Sequence, residues 1–237
     1  MINWRLEQYP ELGSTSDEVV RRAKAGEAAG LAVLALRQTS ARGSRGRGWT
    51  APEGNLNLSI LLRPACPACE AGLFSLLAGV AVLEALGRLG AKDLTLKWPN
   101  DILYHKAKLA GILIDATPEE GKLAWLSIGI GINLRQAPEI PGRLTTSLAM
   151  QGVDITPVMA AHEILASLEA WHEQPAAAIR QAWLAYGHEQ GTALEIAYAG
   201  RLVKGRFAGL SVQGELLLQR ENGIEVLSTG EVLLAGG

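Results

Sequence analysis

Cysteine is scarce in this sequence, and neither sign of charge dominates it. The 237 residues include two cysteines, Cys66 and Cys69, which are too few for a disulfide framework. Lysine and arginine together number 22 against 24 aspartates and glutamates, which gives a formal net charge of −2. A nearly neutral chain lacks the overall basic field of an obligate nucleic-acid binder. The composition therefore argues against a disulfide scaffold and against a dedicated DNA- or RNA-binding protein.

Long apolar stretches are also missing. Residues 1–10 contain no apolar segment of the kind that a secretory signal requires. No uninterrupted run of about 18 apolar residues indicates a membrane span. Together with the cysteine usage, these absences predict a soluble protein of a reducing compartment. We expect it in the cytoplasm, with no membrane partner.

Apolar residues and glycine are abundant. Hydrophobic residues make up 48% of the chain and charged residues 19%, which is typical of a folded globular protein. The 27 glycines indicate tight turns or places where the backbone closely approaches a ligand. The length allows one large domain, or one domain followed by a small module.

Residues 1–187 mix helical and strand patterns. Ser14 or Thr15 can cap a helix over residues 14–24, and Asp17 and Glu18 fall in its first turn, where the helix dipole favours acidic groups. Continuous apolar runs predict buried strands, and longer Ala/Leu-rich segments predict helices. The strands are expected at 31–36, 55–62, 94–98, 102–104, 109–116 and 123–134, and further helices at 70–89, 158–171 and 176–186. These elements predict an α+β domain.

The pattern changes near His188. From there, short apolar segments alternate with glycine turns and predict strands at 193–198, 202–210, 215–219, 224–227 and 231–234. Five short strands in about fifty residues are typical of a small barrel. We therefore predict a second domain, a β module over residues 188–237.

Residues 38–49 form the most distinctive segment, because three arginines alternate with glycines there. Glycine lets backbone N–H groups approach an anion, and guanidinium groups bind carboxylates and phosphates in pairs of hydrogen bonds. The segment therefore predicts an anion-binding loop. A solvated basic loop is one alternative. Contact with single-stranded nucleic acid is another, although Trp49 is the only aromatic residue of the segment and the chain is net acidic.

Three other motifs place polar groups or glycine on strands. The sequence Lys97-Trp98-Pro99-Asn100-Asp101 puts a lysine, an amide and a carboxylate at a strand break. Lys108 precedes an apolar strand, where its ammonium group can face a developing oxyanion. Glycine alternates in 129–133, which marks a strand face that a ligand or another backbone approaches. A surface turn and a solvated strand flank are the alternative interpretations of the first two motifs.

The Cys66-Pro67-Ala68-Cys69 segment has the spacing of half a zinc site. A structural zinc ion needs four ligands, and the sequence offers no second cysteine pair and no clear pairing among its four histidines. We expect a loop ahead of the next helix, without a metal or redox role.

Taken in order, these segments resemble the biotin protein ligases. Each motif alone is modest, but their correct order is specific, and the resemblance covers nearly the whole chain. It rests on Ser14-Thr15, Gln38, the Arg/Gly loop with Trp49, Asn55-Leu56-Asn57-Leu58-Ser59, Lys97 to Asp101, Lys108-Leu109-Ala110-Gly111, Gly129 to Asn133, Gly205 to Gly209 and Ser228-Thr229-Gly230-Glu231.

The resemblance implies a mixed-sheet catalytic domain of the biotin/lipoate ligase type, followed by an SH3-like barrel. Some members of the family carry an N-terminal winged helix that binds DNA. Thirteen residues precede Ser14 here, and we expect no such domain and no DNA partner.

The resemblance also implies a two-step reaction. Biotin and MgATP would give biotinyl-5′-AMP and pyrophosphate, and a lysine of a biotin carboxyl carrier protein would then displace AMP. Biotin and MgATP would be substrates, with no tightly bound cofactor. The family allows a homodimer as well as a monomer.

The implied site residues fall into three groups. Lys108 and Arg42 are expected to be catalytic, and Asp101 is expected to hold Mg²⁺ or to orient Lys108. The expected biotin-binding residues are Ser14, Thr15, Ser16, Gln38, Arg42, Gly43, Ser44, Lys108, Gly129 and Gly131. The expected ATP- and adenylate-binding residues are Arg45, Arg47, Trp49, Lys97, Asn100 and Asn133.

The chain departs from the family pattern inside the Arg/Gly loop. The family usually has Gly-Arg-Gly-Arg-Arg-Gly there, whereas this chain has Ala41-Arg42-Gly43-Ser44-Arg45-Gly46. Loss of a guanidinium at Ser44 predicts an adenylate that leaks and labels nearby lysines. Lipoate–protein ligation is the closest alternative function, and a nucleic-acid-binding module and a pure scaffold protein are alternatives of other classes.

Overall fold

The computed structural model describes residues 1–46, 48–50 and 52–233, and of Arg45 it describes the backbone. In these ranges the chain forms two sheets and four α-helices. The strands of the first sheet are β1 (Arg5–Leu12), β2 (Leu31–Gln38), β3 (Leu56–Leu62), β4 (Leu94–Lys97), β5 (Asp101–Tyr104), β6 (Ala107–Glu119) and β7 (Lys122–Ile132). The helices are α1 (Thr15–Lys24), α2 (Ala71–Arg88), α3 (Pro157–Trp171) and α4 (Ala176–Tyr186).

The first sheet is mixed, in the order β1-β2-β3-β7-β6-β5-β4. Strand β1 runs parallel to β2, and each of the other neighbouring pairs is antiparallel. The predicted α+β class with a mixed sheet is therefore confirmed.

Helix α1 lies on one face of this sheet. It begins as predicted, because the Ser14 hydroxyl accepts a hydrogen bond from the Asp17 backbone N–H at 3.2 Å. Successive side chains of a strand point to opposite faces, so the face toward α1 takes alternate residues of β2. The buried apolar residues on this side are Val19, Ala23, Leu31, Val33, Leu61 and Trp125.

Helix α2 packs on the opposite face and is almost wholly apolar. By length and composition, residues 68–88 could cross a membrane, but 67% of the most apolar 18-residue window of that stretch is buried inside the fold. The buried core helix of a globular protein can have the same length and composition. The sequence has no uninterrupted apolar run of the length of a membrane span, because polar residues such as Ser75 and Glu84 interrupt the apolar residues of this helix.

The second sheet follows α4 and is antiparallel throughout. Its strands are β8 (Ala193–Tyr198), β9 (Arg201–Leu210), β10 (Leu216–Arg220), β11 (Gly223–Leu227) and β12 (Glu231–Leu233), in the order β11-β10-β9-β8-β12. Within the described ranges the edge strands β11 and β12 do not pair, so the five strands predicted as a small SH3-like barrel form an antiparallel sheet that is not closed. The predicted domain boundary falls in the connection 187–192.

One continuous apolar core joins the two sheets. It includes Trp98 next to β4, Trp183 of α4, Ile196 of β8 and Phe207 of β9, each at most 1% exposed. The second sheet is therefore packed onto the first, and its position bears on the residues that follow β4.

Strand β1 lies outside every predicted element. Its sequence, Arg-Leu-Glu-Gln-Tyr-Pro-Glu-Leu, carries charges and a proline and shows no apolar run. Such a sequence suits a sheet edge, where a strand needs one pairing partner and tolerates a missing N–H at Pro10. The local sequence gives little sign of a strand of this kind.

Candidate active site

A cavity of about 190 Å³ lies beside the N-terminus of α1, on the face of the first sheet that carries this helix. Alternation along three adjacent strands brings small or polar residues to this face. Ser59 of β3 pairs with Gly129 of β7, and Gly131 of β7 pairs with Gly111 of β6. The Arg/Gly loop borders the cavity on one side, and Ile140 and Arg143 border it on another.

A cluster of hydroxyl and amide groups lines the end of the cavity near α1. The Thr15 backbone N–H donates to the Gln38 side-chain oxygen at 2.7 Å. The Ser59 hydroxyl lies 2.8 Å from that of Thr15 and 3.1 Å from that of Ser16. These bonds hold several donors and acceptors in fixed positions, which suits recognition of a small polar ring system.

Glycine is required at two positions of β7. A Cβ atom at Gly129 would lie 2.6 Å from the Ser16 hydroxyl oxygen, and one at Gly131 would lie 2.6 Å from the Trp49 indole. The room that these glycines leave is taken here by the Ser16 hydroxyl and the Trp49 ring. The Lys108 ammonium lies 5.5 Å from the centroid of that ring, a distance at which a cation and an indole attract.

Arg42 lies at the rim of the cavity between two carboxylates. Its guanidinium donates to both oxygens of Asp115, at 3.0 and 3.1 Å, and to Asp17 at 2.9 Å. Partial burial opposes the charge, but Asp115 and Asp17 outweigh it and raise the pKa of Arg42. The rim of the cavity therefore carries a permanent positive charge, and a substrate anion can replace the carboxylates that bind it.

Lys108 shares one buried carboxylate with Lys97. The Lys108 ammonium lies 2.5 Å from one oxygen of Asp101, and the Lys97 ammonium lies 3.0 Å from the other. Burial would raise the pKa of Asp101, but Lys108 and then Lys97 outweigh it and lower that pKa. The three groups carry one net positive charge next to the cavity.

Most of the residues predicted for the site line this one cavity. Those that do are Thr15, Ser16, Gln38, Arg42, Gly43, Ser44, Trp49, Asn100, Lys108, Gly129 and Gly131. Asn100 also braces β6, because its side-chain N–H donates to the Ile112 carbonyl at 2.7 Å. Residues from five separate segments therefore meet at one place.

Besides Asp101, three predicted residues with described side chains do not line the cavity. Ser14 is buried as the cap of α1, and Lys97 is buried against Asp101. Asn133 is 1% exposed, and its side-chain N–H donates to the Thr146 carbonyl at 3.0 Å. The side chain of Arg45 and the whole of Arg47 lie outside the described residues.

Asp101 has no free oxygen for a metal ion, because each of its oxygens contacts an ammonium group. This arrangement fits the prediction that it orients Lys108 better than the prediction that it holds Mg²⁺. In the part of the chain that the structure describes, no group of three or more His, Cys, Asp or Glu side chains could hold a metal ion. The donor set does not fit a resident Mg²⁺ ion, so we treat Mg²⁺ only as part of a MgATP substrate.

Two polar side chains that line the cavity, Ser59 and Arg143, were not predicted as site residues. Ser59 is 0% exposed in a strand whose one other polar residue is Asn57, and a buried hydroxyl in a mostly apolar strand could have marked it. Arg143 lies in the irregular segment between β7 and α3, where the sequence offers no pattern. Its guanidinium forms an ion pair with Glu231 of β12.

Comparisons with known proteins connect this chain to two family models and to named relatives. The Biotin/lipoate A/B protein ligase family matches residues 14–133, and the Biotin protein ligase C terminal domain matches residues 195–234. A biotin–[acetyl-CoA-carboxylase] ligase of Paracoccus denitrificans is 34% identical over 218 residues, which cover 86% of this chain and 90% of that protein.

Solved structures show the same relationship. A biotin protein ligase from Aquifex aeolicus in complex with biotin and ATP superposes with a TM-score of 0.79 at 27% identity, over 97% of each chain. A biotin protein ligase from Leishmania major in complex with biotinyl-5-AMP superposes with a TM-score of 0.67 at 26% identity, over 98% of this chain and 99% of that one. With both parts of the chain matched in sequence and in fold, the chain belongs to the biotin/lipoate A/B protein ligase family and, within it, to the biotin protein ligases.

Proposed function

We propose that this cavity activates biotin with ATP and passes the biotinyl group to a lysine of a biotin carboxyl carrier protein. In the first step a biotin carboxylate oxygen attacks the α-phosphorus of ATP. The bond from that phosphorus to the bridging oxygen breaks, and pyrophosphate leaves. In the second step the neutral lysine amine attacks the acyl carbon and the bond from that carbon to the AMP oxygen breaks. The attacking nitrogen loses one proton to solvent, and an amide and AMP remain.

The first step brings a carboxylate against a polyphosphate, so the site must offset the repulsion between two anions. Arg42 and Lys108 line the same cavity, and each is a cation held by carboxylates of the chain. We assign Arg42 to the biotin carboxylate and then to the phosphate of the adenylate. We assign Lys108 to the oxygens that gain charge when the α-phosphorus is attacked.

The hydroxyl and amide cluster supports biotin as the acid. Thr15, Ser16 and Gln38 are fixed by mutual hydrogen bonds and by Ser59, and a ureido ring needs such fixed donors and acceptors. Trp49 supplies an aromatic face for a base or an apolar ring. The relative from Aquifex aeolicus binds biotin and ATP, and the one from Leishmania major binds biotinyl-5-AMP.

The observation that carries this proposal is the meeting of the two cations with the hydroxyl cluster in one cavity. Exchange of labelled pyrophosphate into ATP tests it, with biotin and lipoate in parallel. We expect exchange with biotin and none with lipoate. Exchange with lipoate alone would favour lipoate–protein ligation, and exchange with neither acid would refute the proposal.

We further propose that Ser44 makes the adenylate leak. Ser44 lines the cavity where the family pattern usually has arginine, so one guanidinium fewer faces the anion. Biotinylation of an unrelated bystander protein, measured beside that of the carrier protein, reports leakage. Bystander labelling that Ser44→Arg suppresses is the expected result. Absence of bystander labelling, together with no effect of Ser44→Arg, would show that the idea is wrong.

We also propose a division into domains over residues 1–187 and 188–237, and a cytoplasmic location with no DNA partner. The separate family matches to residues 14–133 and 195–234 support the division. Limited proteolysis tests it, because a boundary near residue 188 predicts early cleavage in the connection 187–192.

A further inference from the structure

Lys97 does not line the cavity, although the family resemblance implies that it contacts ATP. Its side chain is 10% exposed, and its ammonium lies 3.0 Å from Asp101. The same ammonium donates to the Val232 backbone carbonyl of β12 at 3.3 Å. Both partners belong to the protein, and neither lines the cavity.

We infer that Lys97 is a positioning residue for Lys108 and that it ties this lysine to strand β12 of the second sheet. The inference rests on the proposed role of Lys108 in adenylation, and it replaces the expectation that Lys97 contacts ATP.

The carboxylate of Asp101 transmits the effect. Lys97 pairs with one of its oxygens and Lys108 with the other, so the plane of the carboxylate is fixed from both sides. Without Lys97 the freed oxygen would also attract the Lys108 ammonium. That ammonium would then lie farther from the cavity, and a displacement of about 1 Å at a reacting centre can cost about a hundredfold in rate.

The net charge of the cluster formed by Lys97, Asp101 and Lys108 also depends on Lys97. Two ammonium groups and one carboxylate leave one positive charge in this buried cluster, and that charge faces the site where phosphate oxygens gain negative charge. Removal of the Lys97 charge would leave a neutral pair. Lys97 therefore strengthens the electrostatic effect of Lys108 without touching the substrate.

The second sheet and the segment before it hold the Lys97 segment at three points. Besides the bond from Lys97 to Val232, the Trp98 backbone N–H donates to His188 at 3.4 Å, and the Trp98 indole N–H donates to the Gly214 carbonyl at 3.2 Å. These contacts come from β12, from the connection 187–192 and from the turn before β10. The position of Lys97 is therefore set largely by the part of the chain after α4.

Strand β12 also holds a second cation of the cavity, through a separate ion pair. Glu231, the neighbour of Val232, pairs with Arg143, which lines the cavity. Adjacent residues of one short strand thus hold Arg143 directly and Lys108 through Lys97 and Asp101.

Steady-state pyrophosphate exchange by the full chain tests the inference, with the variants Lys97→Met and Lys97→Arg. Lys92→Met is the matched control, because Lys92 is an exposed lysine just before β4. For Lys97→Met we expect kcat to fall by about tenfold or more while KM for biotin changes by less than about twofold. Lys97→Arg retains the positive charge, and we expect this variant to keep most of the kcat of the unmodified chain. We expect Lys92→Met to match the unmodified chain.

The pH profile separates positioning from a general loss of structure. Asp101 is faced by Lys97 from β4 and by Lys108 from β6, and His188 faces Lys97 from the connection 187–192. Because Lys97 helps to lower the pKa of Asp101, its loss should move the acid limb of kcat to higher pH. Lys97→Arg should leave that limb in place.

Three results would overturn the inference. The first is a kcat for Lys97→Met within about twofold of the unmodified chain, and the second is a loss confined to KM for ATP, which would make Lys97 a direct ATP contact. The third applies if Lys97→Met does not fold, and it is a kcat of folded Lys97→Arg below about a tenth of that of the unmodified chain. Retention of most of kcat by Lys97→Arg would support positioning. Absence of biotin-dependent exchange in the unmodified chain is distinguishable, because it would refute the proposed function, and this inference with it.

Discussion

Arg42 and Asp115 face each other at the rim of the cavity, and the two guanidinium nitrogens lie 3.0 and 3.1 Å from the two carboxylate oxygens. The Arg42 side chain is 39% exposed, and exposed ion pairs contribute about 0–1 kcal/mol to stability. A substrate anion can therefore take the place of a carboxylate at little cost to the fold. Arg42 is oriented for an anion without being needed for folding.

Substitution of Arg42 should separate activity from stability. For Arg42→Gln we expect pyrophosphate exchange to fall by about tenfold or more, because the rim loses a cation that offsets the repulsion between carboxylate and phosphate. The melting temperature should stay nearly unchanged. Arg37→Gln is the control, because Arg37 has a similarly exposed ion pair with Glu11 at 2.9 Å and does not line the cavity. Equal exchange rates in the two variants would remove Arg42 from the mechanism.

Lys108→Ala should abolish adenylation and leave the chain folded. The substitution removes the ammonium that lines the cavity, whereas Asp101 keeps Lys97 as a partner and is not left as an unpaired buried charge. Pyrophosphate exchange and a circular dichroism melt measure the two effects. Lys106→Ala, at an exposed lysine in the turn before β6, should behave like the unmodified chain. Near-normal turnover of Lys108→Ala would contradict the proposed mechanism.

The Ser59 hydroxyl should matter for biotin affinity and for stability together. It connects the hydroxyls of Thr15 and Ser16, so Ser59→Ala leaves both with one bond fewer. We expect the free energy of unfolding to fall by about 1 kcal/mol and KM for biotin to rise. Urea unfolding and exchange kinetics measure these changes.

Ser127 offers a matched control for Ser59. It is also 0% exposed, but its hydroxyl has no hydrogen-bond partner among the described residues. Ser127→Ala removes a buried polar group that gains nothing from burial, so stability should stay the same or increase. A loss of stability as large as that of Ser59→Ala would show that the Ser59 bonds are not the cause.

Gly131→Ala should displace Trp49. The new Cβ atom would lie 2.6 to 2.9 Å from three atoms of the indole, so the ring must leave its present position in the cavity. We expect KM for ATP in the exchange assay to rise, with little change in melting temperature. Gly87→Ala is the control, because nothing lies within 4 Å of its new Cβ in α2. It should stabilise the helix by up to about 1 kcal/mol and leave KM unchanged.

His188 should make the fold sensitive to mild acid. Burial, and then the charge of Lys97, lower the pKa of His188 from 6.5 to about 4. Between these values the unfolded chain binds a proton that the folded chain does not, so stability rises with pH in this window. Below about pH 6.5 the fold loses stability as pH falls, by roughly 3 kcal/mol at pH 4.

The variant His188→Gln isolates this effect. Glutamine can still accept the hydrogen bond from the Trp98 N–H but does not titrate, so the stability of the variant should fall less between pH 6.5 and pH 4. Urea unfolding at several pH values measures the difference. His162→Gln, at an exposed position of α3, should retain the full slope. Parallel curves for His188→Gln and the unmodified chain would assign the slope to other groups.

Sequence patterns predicted the central strands well, because β2, β3 and β7 are buried on both faces and are mostly apolar along their length. The cap of α1 was also predictable, since Ser14 is followed by acidic residues in the first turn. Strand β1 was not, because its pairing with β2 is what makes it a strand. Its register with residues 31–38 depends on partners that are distant in sequence.

The sequence predicted which motifs form the site, but it did not predict what each side chain contacts. Lys97 and Asp101 are opposite each other in the β4–β5 ladder, so their side chains share one face of the sheet. Lys97 therefore pairs with Asp101 and does not line the cavity. The motif alone gives no sign of this. Arg143 was missed because its place depends on Glu231 in the second sheet, and no local pattern marks a contact between residues so far apart in the chain.

The buried group of Lys97, Asp101 and Lys108 also limits how this sequence can change over time. Loss of either lysine leaves a neutral pair, whereas loss of Asp101 leaves two neighbouring ammonium groups without a counter-charge. A lineage can therefore pass through a lysine substitution and still produce a folded protein on which later substitutions act. A first change at Asp101 destabilises the fold and removes the partner of Lys108 at the same time, so among these three positions the carboxylate should be the last to vary.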